Sequence, residues 1–266
     1  MKKVLHYNSS QICYYTYGSG NRIIFCFHGY GLSGESFSVL QTVLGADFTL
    51  ICIDLPFHGN TLWQNELLFS DNILWAIIQK INPNPNEPFC LMGYSLGGRI
   101  ALQLLQNHPD LIQQVALIAP DGLKFNWWQH LATNTKIGHS LFRFTMRHPQ
   151  WLITLIRLSS TLHLINKSVE KFSFAYIVEA NERCLLYERW CVLKSFKPNM
   201  RVVRKLISQH RIPINLLFGE YDKIITTNQG VSFKKDEPLI SVKEIKCGHQ
   251  LLKEKYALEV AKLIVK

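Results

Sequence analysis

The sequence predicts an α/β protein with a mostly parallel sheet. Short β-rich runs alternate with longer segments of helical periodicity, the alternation expected of strands joined by crossover helices. Cys26, Cys52 and Cys90 each lie inside an apolar run that reads as a buried strand. No repeat, low-complexity tract or nucleic-acid module interrupts the pattern.

The elements follow in chain order. Ile12–Tyr17 and Arg22–Phe27, "ICYYTY" and "RIIFCF", have the β-branched and aromatic content of strands, and Glu35–Leu44 reads as the first helix. Phe48–Ile53 is the next strand and Glu66–Ile81 the next helix. "NPNPNEP", Asn82–Pro88, cannot continue that helix, because each proline removes a backbone donor and pushes its predecessor toward extended geometry. The strand Phe89–Gly93, the helix Gly97–Asn107 and the strand Gln114–Ala119 follow; then, after a long gap, come the helix Arg201–Gln209, the strands Ile214–Phe218 and Ser241–Ile245, and the helix Leu251–Val265.

The gap from Ala119 to Ile214 is about twice what a crossover helix requires. Residues 122–197 hold 11 Lys and Arg against 4 Glu and no Asp, a local charge of +7 out of +10 for the whole chain, together with Trp127, Trp128, Trp151 and Trp190. This predicts a helical insertion at 122–197 in a core of 1–121 and 198–266, its aromatics facing a pocket and its cations lining the outside or the entrance. The competing reading is a solvated basic face on ordinary helices. The excess of cations favours anionic partners without choosing among them. No run approaches the roughly 20 apolar residues of a membrane span, and no apolar segment follows Lys2 and Lys3; we expect a cytoplasmic, soluble protein with no transmembrane segment. The seven cysteines include no C-x-x-C pair, and no metal or organic cofactor is implied.

"CLMGYSLGGRIAL", Cys90–Leu102, carries the chemistry. Gly93-Tyr94-Ser95-Leu96-Gly97 matches G-x-S-x-G, in which a sharp strand-to-helix turn strains a serine and holds its hydroxyl clear. It falls between a predicted strand and a predicted helix, where open α/β sheets place ligands.

Five motifs in order, "HGYG" (28–31), "DLPFHGNT" (54–61), "GYSLGG" (93–98), "LLFGEYD" (216–222) and "CGHQLL" (247–252), make the chain resemble the α/β-hydrolase family over nearly its whole length. The resemblance implies the α/β-hydrolase fold with a helical cap insertion, and a catalytic triad in the order Ser95, Asp222, His249. A serine hydroxyl needs a base, a histidine can take and return the proton, and the aspartate would hold the imidazole in the useful tautomer. The resemblance also implies an oxyanion hole formed by the backbone N–H groups of Tyr30 and Leu96. Glu220 and Asp121 compete with Asp222, and His28, His58, His139 and His163 with His249. His28 and His58 sit in motifs where the family braces loops with histidine, and Asp54 is read as a brace of its own turn.

Triad and fold do not name a substrate. The favoured reading is hydrolysis of a carboxylic ester or thioester with a medium-sized apolar acyl group, Trp127 and Trp128 lining the pocket. The substrate would carry an anionic handle or be presented by an acidic carrier protein; no nucleic acid is expected. "HGYGLSGESF" with "GYSLGG" is similar to esterases that release a methyl ester from a carrier-bound acyl chain in biotin synthesis. "GYSLGGRIAL" also resembles the SHCHC synthases of menaquinone synthesis, which implies carbon–oxygen elimination, Arg99 contacting a substrate carboxylate and Tyr94 lining the pocket. Against this, Arg99 also reads as a salt-bridged helix residue. The third reading is a non-catalytic binding protein.

Overall fold

A computed structural model describes residues 1–65, 67–162, 174 and 176–264. Eight strands, β1 (Lys2–Tyr7), β2 (Ser10–Tyr17), β3 (Arg22–Phe27), β4 (Phe48–Ile53), β5 (Phe89–Tyr94), β6 (Ile112–Ile118), β7 (Ile214–Gly219) and β8 (Ile240–Ile245), form one sheet in the order β1-β2-β4-β3-β5-β6-β7-β8. β1 and β2 are antiparallel to their neighbours, and every pair from β4 to β8 is parallel. The central strands are apolar on both faces because helices cover both faces, the usual condition of parallel strands.

The helices are α1 (Gln41–Leu44), α2 (Asp71–Ile81), α3 (Leu96–Asn107), α4 (Trp127–Asn134), α5 (Lys136–Arg147), α6 (Gln150–Thr161), α7 (Ala180–Val192), α8 (Met200–His210), α9 (Thr227–Lys234) and α10 (Ala257–Ala261). α3 packs on β5, β3 and β6 with α2 and α8 beside it, while the 3-10 turn Gly34–Leu40, α1 and α10 pack together elsewhere on the sheet. One apolar cluster joins Phe37, Leu40, Leu44, Val260 and Leu263 to Cys26, Cys52 and Met92 of the strands. Cys26 and Cys52 face each other across β3 and β4, and Cys90 is buried in β5.

The chain divides into two compact units: residues 1–65, 69–125 and 196–266 form the first, and 66–68 with 126–195 the second. Residues 122–125 and 196–197, expected in the insertion, belong to the first unit with the sheet. Within the second unit, α5 packs on α4 and α7, Phe142 meets Tyr187 and Trp190, and the Tyr187 hydroxyl is 3.0 Å from His139 Nε2. A cavity of about 1100 Å³ here is lined by Phe144, Trp151, Ile153, Arg147 and Arg157. No helix among the described residues is long and apolar enough to cross a membrane.

Several element boundaries differ from expectation. β1 was not anticipated: Lys2, Lys3 and Val4 are exposed on an edge strand, so burial leaves no apolar pattern. α9 also escapes notice, since only Gly230 and Phe233 of its eight residues are buried. The helix expected at 66–81 starts at Asp71, where Ser70 Oγ accepts the Ile73 N–H at 3.4 Å, an N-cap bond. Glu66 lies outside the described residues. Glu35–Leu44 is a 3-10 turn followed by the short α1, and the helix expected at 251–265 reduces to the 3-10 turn Glu254–Tyr256 and α10, with Val265 outside the described residues.

Candidate active site

The strand register brings Phe27, Gly93, Leu117 and their neighbours to one level, so the loops after β3, β5, β6, β7 and β8 leave the same edge of the sheet. Each sequence motif lies on one of these loops or on the loop after β4.

The turn between β5 and α3 is set by close packing. Ser95 has φ 50° and ψ −114°, a conformation costly for any residue with a Cβ. The surrounding bonds hold it there: its N–H donates to Ile118 O at 2.9 Å, and its carbonyl accepts from Gly98 N at 2.9 Å and Asp121 N at 2.8 Å. A Cβ on Gly97 would lie 1.8 Å from Phe27 O, and one on Gly93 2.5 Å from Gly97 O. Both contacts are to backbone, which has little room to yield. Gly97→Ala is therefore expected to cost about 3 kcal/mol, the upper range for overpacking, read as a lower urea midpoint at unchanged slope.

His249, between β8 and α10, reaches this turn. Its Nε2 lies 3.1 Å from Ser95 Oγ and its Nδ1 2.6 Å from Asp222 Oδ2. Asp222 follows β7, and its side chain is fully buried. Its Oδ1 accepts the N–H groups of Ile224 at 2.8 Å and Ile225 at 3.1 Å. Burial pushes this carboxyl upward, but the bond from His249 and the two backbone N–H groups lead the opposing effects that outweigh it and hold Asp222 below the usual carboxylate range. An ionised Asp222 accepts only, so Nδ1 of His249 carries the proton and Nε2 is left to accept from the serine hydroxyl.

Most of the rival groups have other partners. Asp121 pairs with Arg99, Nε to Oδ2 at 3.4 Å, and accepts from Gly122 N at 2.7 Å. Arg99 is thus a salt-bridged helix residue. Glu220 is exposed. His28 accepts the Leu55 N–H at Nε2 (3.0 Å), leaving Nδ1 to donate to Gly29 O (2.8 Å), while His58 Nδ1 is 2.9 Å from Pro56 O. Asp54 takes the N–H groups of Gly34 at 2.6 Å and Asn60 at 2.8 Å. Burial raises its carboxyl against the pull of those donors. These three residues bind the 28–34 and 54–61 loops together. His139 is bonded to Tyr187 in the second unit, and His163 lies outside the described residues.

Leu96 opens α3, so its N–H is among those a helix leaves without an internal partner. Tyr30 stands in the turn closed by Leu32 N to Gly29 O at 3.2 Å. Trp127 and Trp128, expected in a pocket, begin α4 in the second unit, stack on each other at 3.8 Å and are 51% and 64% exposed.

Tyr94 has a further role in the fold. It is 4% exposed, and its hydroxyl donates to the His249 carbonyl at 2.9 Å. Burial, then the charges of Asp222 and Cys247, push its phenol up to about 12, so it remains a donor. The ring lies 5.5 Å from the imidazole, so Tyr94 touches His249 at both its carbonyl and its ring. Nothing local in the sequence announces a bond across 155 positions. Tyr94→Phe is expected to lower stability by about 1 kcal/mol and, by loosening the His249 loop, to slow any reaction that runs through Ser95 and His249 several-fold; thermal unfolding and the rate of Ser95 labelling by a fluorophosphonate check it.

Among the described residues no group of three or more His, Cys, Asp or Glu is placed to hold a metal ion.

The family model described as alpha/beta hydrolase fold matches residues 22–256. Curated relatives named pimeloyl-[acyl-carrier protein] methyl ester esterase, from Salmonella heidelberg (strain SL476) and Salmonella agona (strain SL483), are 31% identical over 110 residues. That match covers 41% of this chain and 41% of theirs. Among solved structures, the thioesterase domain from the curacin biosynthetic pathway superposes with a TM-score of 0.66 at 18% identity, over 99% of this chain and 98% of its own. A probable hydrolytic enzyme from Pseudomonas aeruginosa PAO1 gives 0.69 at 14% identity, over 100% and 94%. These structural likenesses concern the fold.

Proposed function

Because the chain belongs to the α/β-hydrolase fold family, we propose that it hydrolyses a carboxylic ester or thioester through an acyl-Ser95 intermediate. The observation that carries this reading is the relay Ser95 Oγ, His249 Nε2, His249 Nδ1, Asp222 Oδ2, with links of 3.1 and 2.6 Å. Such a chain activates a hydroxyl that is otherwise a poor nucleophile at neutral pH.

In the first half, Ser95 Oγ bonds to the acyl carbon and its proton passes to His249 Nε2. The carbonyl electron pair moves onto oxygen, where the N–H groups of Leu96 and Tyr30 would receive it. Collapse breaks the bond to the alcohol or thiol, which leaves with the proton from His249. In the second half, water gives its proton to His249 as it attacks the acyl carbon, and Ser95 Oγ departs carrying that proton, releasing the carboxylic acid. Asp222 stays ionised and stabilises the imidazolium formed in each half.

The relatives' name supports an ester on a carrier-bound acyl chain as the substrate class, and the basic second unit fits an anionic handle or an acidic carrier. The elimination reading draws no support from Arg99, which is paired with Asp121. The test is hydrolysis of p-nitrophenyl esters of increasing chain length, with intact-mass detection of an acyl adduct. A burst with an adduct on Ser95 and a chain-length optimum is expected; labelling by a fluorophosphonate without turnover of any ester or acyl thioester would defeat the hydrolase reading.

Arg147 lines the cavity of the second unit, and Arg143 is exposed one helical turn earlier on α5. Charge reversal at both is expected to lower kcat/KM for anionic acyl substrates about ten-fold and to change neutral esters less than two-fold. Equal effects on both would reduce these cations to a solvated face.

A further inference from the structure

Between α8 and the end of α9 the first unit carries a groove that the proposed chemistry does not use. It comprises two cavities of about 450 and 430 Å³ that share Arg204 as a common wall. Its cations come from three separate stretches of chain: Lys124 after β6, then Arg201, Arg204 and Lys205 on α8, then Lys234 and Lys235 at the end of α9. Two carboxylates share the groove. One of them, Glu237, already accepts from the Ser208 hydroxyl and from Leu239 N at 3.2 Å. No ion pair among the described residues engages any of the six cations.

The arrangement is unfavourable for the isolated chain. Arg201 is the second residue of α8, at the positive end of the helix dipole, and stacks with Arg204 and Lys205 at i+3 and i+4, where like charges repel. Arg204 is also half-buried with no carboxylate at ion-pair distance among the described residues. An anionic ligand relieves all three penalties.

We propose that this groove docks an acidic peptide segment of a partner protein. The cations are strung along the groove instead of converging on a point: Arg201 and Lys205 are about one turn apart, roughly 5 to 6 Å, Lys234 and Lys235 come from the facing helix end, and Lys124 lies at the other end. A run of carboxylates matches that spacing, whereas one phosphate would satisfy only a part of it. The end lined by Lys124 and Thr226 lies three residues beyond Asp121 and four beyond Asp222, on the loops that leave the site-bearing edge of the sheet. A docked segment would therefore bring its protein to that edge. The inference goes beyond the hydrolase reading and does not require it.

The test is fluorescence anisotropy of labelled poly-L-glutamate on the full chain at low and physiological salt. Arg204→Glu with Lys235→Glu is expected to weaken binding about ten-fold or more, and Lys2→Glu with Lys3→Glu, an equal charge change on β1, less than two-fold. Unchanged thermal midpoints show that both variants fold, and if the Arg204 variant does not, Lys234→Gln with Lys235→Gln carries the comparison. Three outcomes overturn the proposal: no binding by wild type, equal losses in the groove and β1 variants, or full displacement by millimolar inorganic phosphate. Tighter binding of a labelled DNA oligonucleotide with the same groove dependence would overturn it in favour of nucleic acid.

Discussion

Ser95→Ala is expected to lower ester turnover by about 10⁴-fold or more and to abolish labelling by a fluorophosphonate, with the thermal midpoint unchanged. The stability half of this expectation follows from the turn. Ala retains the Cβ that makes φ 50°, ψ −114° costly, and the three backbone bonds around residue 95 do not involve the hydroxyl. Ser95→Gly separates stability from activity. Removing the Cβ relieves strain of about 1 to 3 kcal/mol, while the freer unfolded chain returns roughly 0.5 to 1 kcal/mol, so the glycine variant should be inactive yet more stable than wild type by about 1 kcal/mol. Such an opposition is expected where a site is held in a geometry that its chemistry requires and its folding does not. Activity surviving in either variant would remove Ser95 from the mechanism; a glycine variant no more stable than wild type would show that the turn stores no strain.

The legible parts of this molecule are those whose physics is local. β3, β4, β5 and β7 announce themselves because burial on both faces requires a nearly unbroken apolar run, and their observed limits match the expected ones within a residue. Ser95 is legible for a similar reason: the turn that exposes it needs glycine at 93 and 97, where a side chain would strike backbone. Exposed or short elements left no such mark. β1 hides because an edge strand need not be apolar, and α9 because its contact with the sheet needs little more than Phe233 and the small Gly230 beneath Phe218. Long-range pairings are the third class. Arg99 reads more readily as a salt-bridged helix residue than as a contact for a substrate carboxylate, but only the fold shows which neighbour it meets, bringing Asp121, 22 positions later, to within 3.4 Å. Tyr94 sits inside the motif, yet nothing there shows that its hydroxyl bonds to the His249 carbonyl.

Asp222→Asn is expected to reduce turnover by about 10⁴-fold while leaving the chain folded, through a reversal of one hydrogen bond. Oδ1 of Asp222 accepts from Ile224 and Ile225 N–H, so an asparagine at this position keeps its carbonyl oxygen there and places its NH₂ where Oδ2 now stands, 2.6 Å from His249 Nδ1. Nδ1 must then accept, the proton moves to Nε2, and the imidazole can no longer take the proton of Ser95. The same substitution changes the response to acid. Asp222 is held below the usual carboxylate range in the folded chain, so its stabilisation is complete above the unfolded value of about 3.9 and is lost as pH falls toward its folded value. Urea midpoints measured from neutral pH down to about pH 3 should therefore fall more steeply for wild type than for the variant at the acid end. Asp222→Ala supplies the contrast, since it leaves two buried N–H groups without an acceptor and should cost about 2 kcal/mol at neutral pH beyond the asparagine variant. If Asp222→Asn turned over esters at the wild-type rate, the proton placement on His249 would have to be set by another group, and the relay from Ser95 to Asp222 would not be the catalytic one.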